Sequence, residues 1–203
     1  MKVLSILTML AMSLNPAEDK SLFDPSALMP QLAVDLCKHT KGATTKKKQE
    51  ALRIAKILYN VEERLNVPDI MRGMTLSAAC LESAFNPSAK GDRKFSANKK
   101  TPKAIGVLQM WKWYEKSYGV DRKDPQSAAV GWLTHIKRLL PKVKKQCRYK
   151  TQRRLWAAAW VTGIRYKKPG GRCKEKPKHY RFFLKLRSAY DKRTSMSLMK
   201  SGT

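Results

Sequence analysis

Glu82 stands in the string Gly73-Met-Thr-Leu-Ser-Ala-Ala-Cys-Leu-Glu82-Ser83-Ala84-Phe85-Asn86-Pro87. Leu76, Ala79, Cys80, Leu81, Ala84 and Phe85 make the run before the break rich in helix-compatible apolar residues, and Thr75 or Ser77 could cap its start. Pro87 pushes Asn86 out of the helical region, so the helix is expected to stop near Phe85, with Glu82 in its last turn. Helix-terminal carbonyls and the apolar neighbours Leu81, Ala84 and Phe85 are poor company for a negative charge. A carboxyl group in such a place suits proton donation to a leaving oxygen. On residue type alone, an exposed surface glutamate is the commoner outcome.

Three further segments change that balance. Ala104-Ile-Gly106-Val107-Leu108-Gln109-Met110 follows the acid; Leu155-Trp-Ala-Ala-Ala-Trp160-Val161-Thr162-Gly163 comes later; Lys174-Glu-Lys-Pro-Lys-His-Tyr180 lies near the end. Taken with Glu-Ser-x-Phe-Asn-Pro, they resemble the catalytic core of soluble lytic transglycosylases and goose-type lysozymes, over roughly residues 68 to 190. The resemblance implies cleavage of bacterial cell-wall glycan between N-acetylmuramic acid and N-acetylglucosamine, with Glu82 as the catalytic acid. It implies a substrate cleft lined by Ser83, Gln109, Met110, Trp160 and Tyr180, with Phe85 as a core plug. Ala78 and Ala79, one turn before Glu82, are expected to leave room for a sugar. The third segment departs from the family's Ala-Tyr-Asn-Ala-Gly: Trp160, Val161 and Thr162 replace Tyr, Asn and Ala. Tyr180 reads equally well as a tyrosine packed on a C-terminal helix.

Two-acid glycosidases need a second carboxylate. After Glu82 the chain offers Asp92, Glu115, Asp121, Asp124, Glu175 and Asp191. Asp92 and Glu115 are the plausible seconds, and neither sits in a motif. One acid suffices if the muramic C6 hydroxyl attacks in place of water, which gives a 1,6-anhydro product. That nonhydrolytic route is what the resemblance implies; a hydrolytic lysozyme of the same fold and a noncatalytic cationic wall-binding protein are the alternatives.

The elements that must hold these residues read as all-α, with at most a small β-hairpin around the Asp92 loop; the resemblance implies that they are arranged in a lysozyme-like way. A short helix is expected near Leu32 to Cys37, then a flexible Lys41 to Lys48 stretch. Gln49 to Asn66 is amphipathic, with Leu52, Ala55, Leu58, Tyr59 and Leu65 on one side. Further helices are expected over Gln126 to Leu140, Gln152 to Ile164 and His179 to Asp191. The expected organisation is a signal peptide over 1–13, an approach segment over 14–48, one catalytic domain over 49–192 and a disordered tail over 193–203.

Lys2 followed by the apolar run Val3 to Leu14 reads as a secretory leader, too short to span a bilayer. Export would place the protein in the periplasm or outside the cell. Cys37, Cys80, Cys147 and Cys173 form an even set that permits three disulfide connectivities. Cys147 with Cys173, which flank the Trp160 helix, is favoured, leaving Cys37 with Cys80. Their spacing, and the scattered His39, His135 and His179, argue against a zinc site, and no cofactor is expected.

The 43 lysines and arginines against 15 acids give a net charge of +28. Nine basic residues and no acid lie between Lys137 and Arg154, and ten lie between Arg165 and Arg187 with Glu175 alone opposing them. Such a surface suits anionic cell-envelope polymers, with binding that weakens in salt. Nucleic acid is the competing partner, with Trp111, Trp113, Trp156 and Trp160 among the bases, but the leader and cysteines argue against it. The expected state is a monomer.

Overall fold

The computed structural model describes residues 25–93, 101–147, 151–165 and 178–201. Helices dominate: α1 (Pro25–Leu36), α2 (Thr45–Arg64), α3 (Met74–Ser83), α4 (Trp113–Tyr118), α5 (Pro125–Cys147), α6 (Gln152–Arg165) and α7 (Lys178–Ser201). The fold is therefore mainly all-α, as the periodicity implies. Three two-residue strands, β1 (Lys90–Gly91), β2 (Ala104–Ile105) and β3 (Met110–Trp111), form an antiparallel sheet in the order β1-β2-β3. The sheet holds one strand more than the expected hairpin.

Every residue from Met74 to Cys80 is buried, so α3 is apolar all round and lies at the centre, against α1, α2 and α7. This corrects the expectation for Ala78 and Ala79. At 3% and 0% exposure their small side chains admit neighbouring helices, not a ligand. Thr75 and Ser77 are likewise inside the helix, and Gly73 is its N-cap, in the left-handed region with φ 94°.

Several helices overrun their expected ends. α2 starts at Thr45, capped by the Thr44 side chain, which accepts the Lys47 N–H, so the end of the expected flexible stretch is helical. α5 continues through Pro141 to Cys147, and burial of Val143 offsets the hydrogen bond that proline removes. α7 runs to Ser201 where the tail was expected to be disordered. No glycine or proline interrupts it before Gly202, and the Thr194 and Ser195 hydroxyls donate back to the Tyr190 and Asp191 carbonyls.

Cys37, just past α1, is bridged to Cys80 of α3, with the Cα atoms 5.8 Å apart. The bridge closes a 43-residue separation around α2. The expected Cys147–Cys173 partner bridge and the 1–13 leader lie outside the described residues. Among the described residues no helix is long and apolar enough to cross a membrane.

Candidate active site

The end of α3 shows why this sequence stops a helix two residues after an acid. Ala84 takes a left-handed conformation (φ 54°), its N–H bonding to Cys80 O, while Phe85 N–H reaches Ala79 O, both at 3.2 Å. The Ala84 bond is the αL closure of a helix, made here with alanine where glycine is usual, and the Phe85 bond adds a second tie across it. Phe85, also at positive φ (62°), then turns its ring into the core at 1% exposure. Glu82 falls in the last helical turn as expected, half-buried, at the point where α3 leaves the core.

Ser83 ties that end to the next motif. Its hydroxyl donates to Val107 O at 2.8 Å and to Ala79 O at 3.1 Å. Val107 belongs to the 106–109 turn, in which the Gln109 side chain donates to Gly106 O at 2.9 Å and packs on Gly91 of β1. Gly106 is required twice over: its φ is 80°, and a Cβ there would meet Arg122 O at 1.9 Å. Through Ser83 the structure thus brings the end of α3 onto the Gly106–Gln109 turn across 24 residues of sequence separation.

Strain gathers in the same place. Of the five described non-glycine residues with positive φ, Ala84, Phe85, Asp92 and Gln109 sit on the segments around Glu82. Each costs about 1 kcal/mol or more, and such residues concentrate at functional sites because tertiary contacts hold them there.

The other expected cleft residues lie deeper. Met110 is 2% exposed and Trp160 0%, so both are core residues rather than parts of a substrate surface. Trp160 is enclosed edge-on between Trp132 (5.8 Å) and Phe183 (6.1 Å). The physical reason is that α6 packs on α5, and the largest apolar side chain at their junction is driven inward. Tyr180 is 7% exposed and stacks on Phe183 at 5.7 Å, which matches the packed alternative.

Both possible second acids are occupied. Glu115 accepts the Arg122 Nε–H at 2.8 Å, and Arg122, buried at 8%, also donates to the carbonyls of Lys103 and Met110. Asp92 accepts the Trp111 indole N–H at 2.8 Å. These bonds brace β3 and the chain on either side of the sheet, a supporting role that the isolated sequence positions do not reveal.

Glu62 is the acid that sequence reasoning missed. It is 0% exposed, and it sits at the N-terminal end of α3. It accepts Gly73 N–H at 2.5 Å, Thr75 N–H at 2.6 Å and the Thr75 hydroxyl at 2.6 Å. A side chain from α2 thus caps α3 in place of a local residue. Burial pushes its carboxyl up to about 7, against the pull of these three donors. The signal was present: Glu62 lies three and four residues after Tyr59 and Leu58, on the apolar stripe of α2.

Compared with protein-family models, curated proteins and solved structures, the chain matches none.

Proposed function

We propose that this protein cleaves the β-1,4 bond between N-acetylmuramic acid and N-acetylglucosamine in peptidoglycan, with Glu82 as a single general acid and base. The observation that carries the reading is the junction made by Ser83, which holds the strained end of α3 against the Gly106–Gln109 turn. A half-buried acid at that junction is the group such a cleavage would use.

In that reaction Glu82 gives its proton to the glycosidic oxygen as the C1–O bond breaks. The substrate's N-acetyl carbonyl supports the cationic sugar. The muramic C6 hydroxyl then bonds to C1 while its proton passes to the Glu82 carboxylate, which restores the acid and leaves a 1,6-anhydro end without consuming water. The engagement of Asp92 by Trp111 and of Glu115 by Arg122 favours this route over a two-acid mechanism. The Cys37–Cys80 bridge fits an exported protein, in the periplasm or outside the cell, where such a substrate lies. The exposed lysines of α5, among them Lys142, Lys144 and Lys145, suit anionic wall polymers.

The test is digestion of purified peptidoglycan followed by mass spectrometry of the fragments. Fragments one water lighter than reducing ends support the anhydro route, and reducing ends point to hydrolysis. Wall binding without fragments, unchanged by Glu82→Gln, overturns the enzyme in favour of a cationic wall-binding protein.

A further inference from the structure

A groove of about 960 Å³ opens beside β3 and α4, lined by Lys103, Ile105, Trp111, Lys112, Trp113 and Lys123 with their neighbours. Its volume is within the range of ligand sites. Glu82, Ser83 and Gln109 are not among its lining residues, so it is separate from the candidate active site.

Two features of the groove point to one class of ligand. Trp113 is 39% exposed; its ring stacks on Tyr114 at 3.8 Å and 24° and meets the His135 ring in a T-shaped contact at 5.0 Å, so the fold fixes the indole while over a third of the residue's surface faces solvent. Large apolar rings are normally withdrawn from water, and an exposed rigid indole offers flat apolar area to a partner at little entropic cost. The second feature is charge. Glu115 is matched by Arg122, which leaves Lys103, Lys112 and Lys123 as the unbalanced charges of the lining. The adjacent acids Asp121 and Asp124 accept backbone N–H groups of their own turn, at 2.8 and 2.6 Å.

We propose that this groove is a second glycan-binding site, which takes an acidic, peptide-bearing part of the strand. A pyranose ring lies on Trp113, and carboxylates are met by Lys103, Lys112 and Lys123. The identity of the polymer rests on the glycan-cleaving reading of Glu82; the existence of the site does not. Single-stranded nucleic acid would use successive stacking planes. Trp111 is instead tied to Asp92 with the Lys103 ammonium 5.6 Å from its ring centre, which leaves Trp113 as the plane presented to a ligand.

Binding is measured on the full chain carrying Glu82→Gln, so that turnover does not interfere. The probes are peptide-bearing glycan fragments, the same fragments with their carboxyls amidated, and a single-stranded oligonucleotide. Trp113→Ala, and separately the double change Lys112→Glu with Lys123→Glu, are each expected to weaken fragment binding roughly tenfold. The loss from the double change should shrink as salt rises, and amidated fragments should not register it. Unchanged fragment affinity in the double variant overturns the site, as does tighter binding of the oligonucleotide than of the fragments. Wild-type protein that cuts no glycan yet binds through Trp113 and the lysines removes the catalytic reading and leaves the groove standing. Protein that cuts glycan but ignores these changes does the reverse.

Discussion

The two ends of α3 each hold a glutamate, and the two are opposites. At the N-terminal end Glu62, reaching in from α2, is fully buried and saturated by three donors from Gly73 and Thr75. At the C-terminal end Glu82 emerges half-buried from the last turn, beside backbone held at positive φ. A carboxylate at a helix N-terminus meets N–H groups and the favourable end of the dipole, so it serves as a structural cap. A carboxyl at the carbonyl end meets the opposite, unfavourable end of the dipole and cannot serve as that cap. The same helix therefore separates a group that holds the fold from the one proposed to do the chemistry.

The sharpest test exchanges the two roles. Glu82→Gln should lower glycan cleavage on the order of a thousandfold or more while leaving the melting temperature nearly unchanged. Comparable loss of stability in that variant would break the comparison. Next in size is the bridge that clamps α3 from the side: replacing Cys37 and Cys80 together by serine should cost roughly 4 kcal/mol for a 43-residue loop, read by urea denaturation.

Glu62→Ala should cost about 3 kcal/mol, because it leaves the Gly73 and Thr75 N–H groups buried without an acceptor. The carboxyl also carries a pH signature. Its folded value of about 7 lies above the ordinary 4.5, so the folded state holds the proton more tightly than the unfolded chain. The stability it contributes is complete below about pH 4.5 and is lost as pH rises through 7, up to roughly 3 kcal/mol. Denaturation of wild type and Glu62→Gln at pH 4.5 and 7.5 isolates this group, since the variant should lack that part of the slope. An equal slope in both would remove Glu62 as the titrating group. The smallest effect is expected at the other end. Ala84→Gly relieves a left-handed alanine at φ 54° and should stabilise by up to about 1 kcal/mol without loss of cleavage.

What could be read in advance was local. The Asn86-Pro87 break, the apolar density of Met74 to Cys80 and the stripe on α2 depend on neighbours within a turn or two, so α3's end and the position of Glu82 were legible. So was the all-helical character of the chain. Helix ends were less so: the sequence signal fades at Leu140 and Asp191, but burial of Val143 carries α5 further and the absence of a breaker lets α7 continue. Cys37 with Cys80 could be reached only as the pair left over from another.

The site's surroundings depend on which faces meet, and that is a matter of the folded chain. Trp160 and Met110 look the same in sequence whether they line a cleft or fill a core; the packing of α6 on α5 puts Trp160 inside, and Met110 is buried where β3 pairs with β2. Glu62, Arg122 and Asp92 find partners 7 to 19 residues away, a reach that no helical or strand period encodes. Residue order and local stereochemistry determined where α3 stops and which acid stands at its end. Only tertiary packing decided which polar groups are satisfied and which apolar ones remain exposed, because burial is a property of the assembled surfaces and not of any one segment.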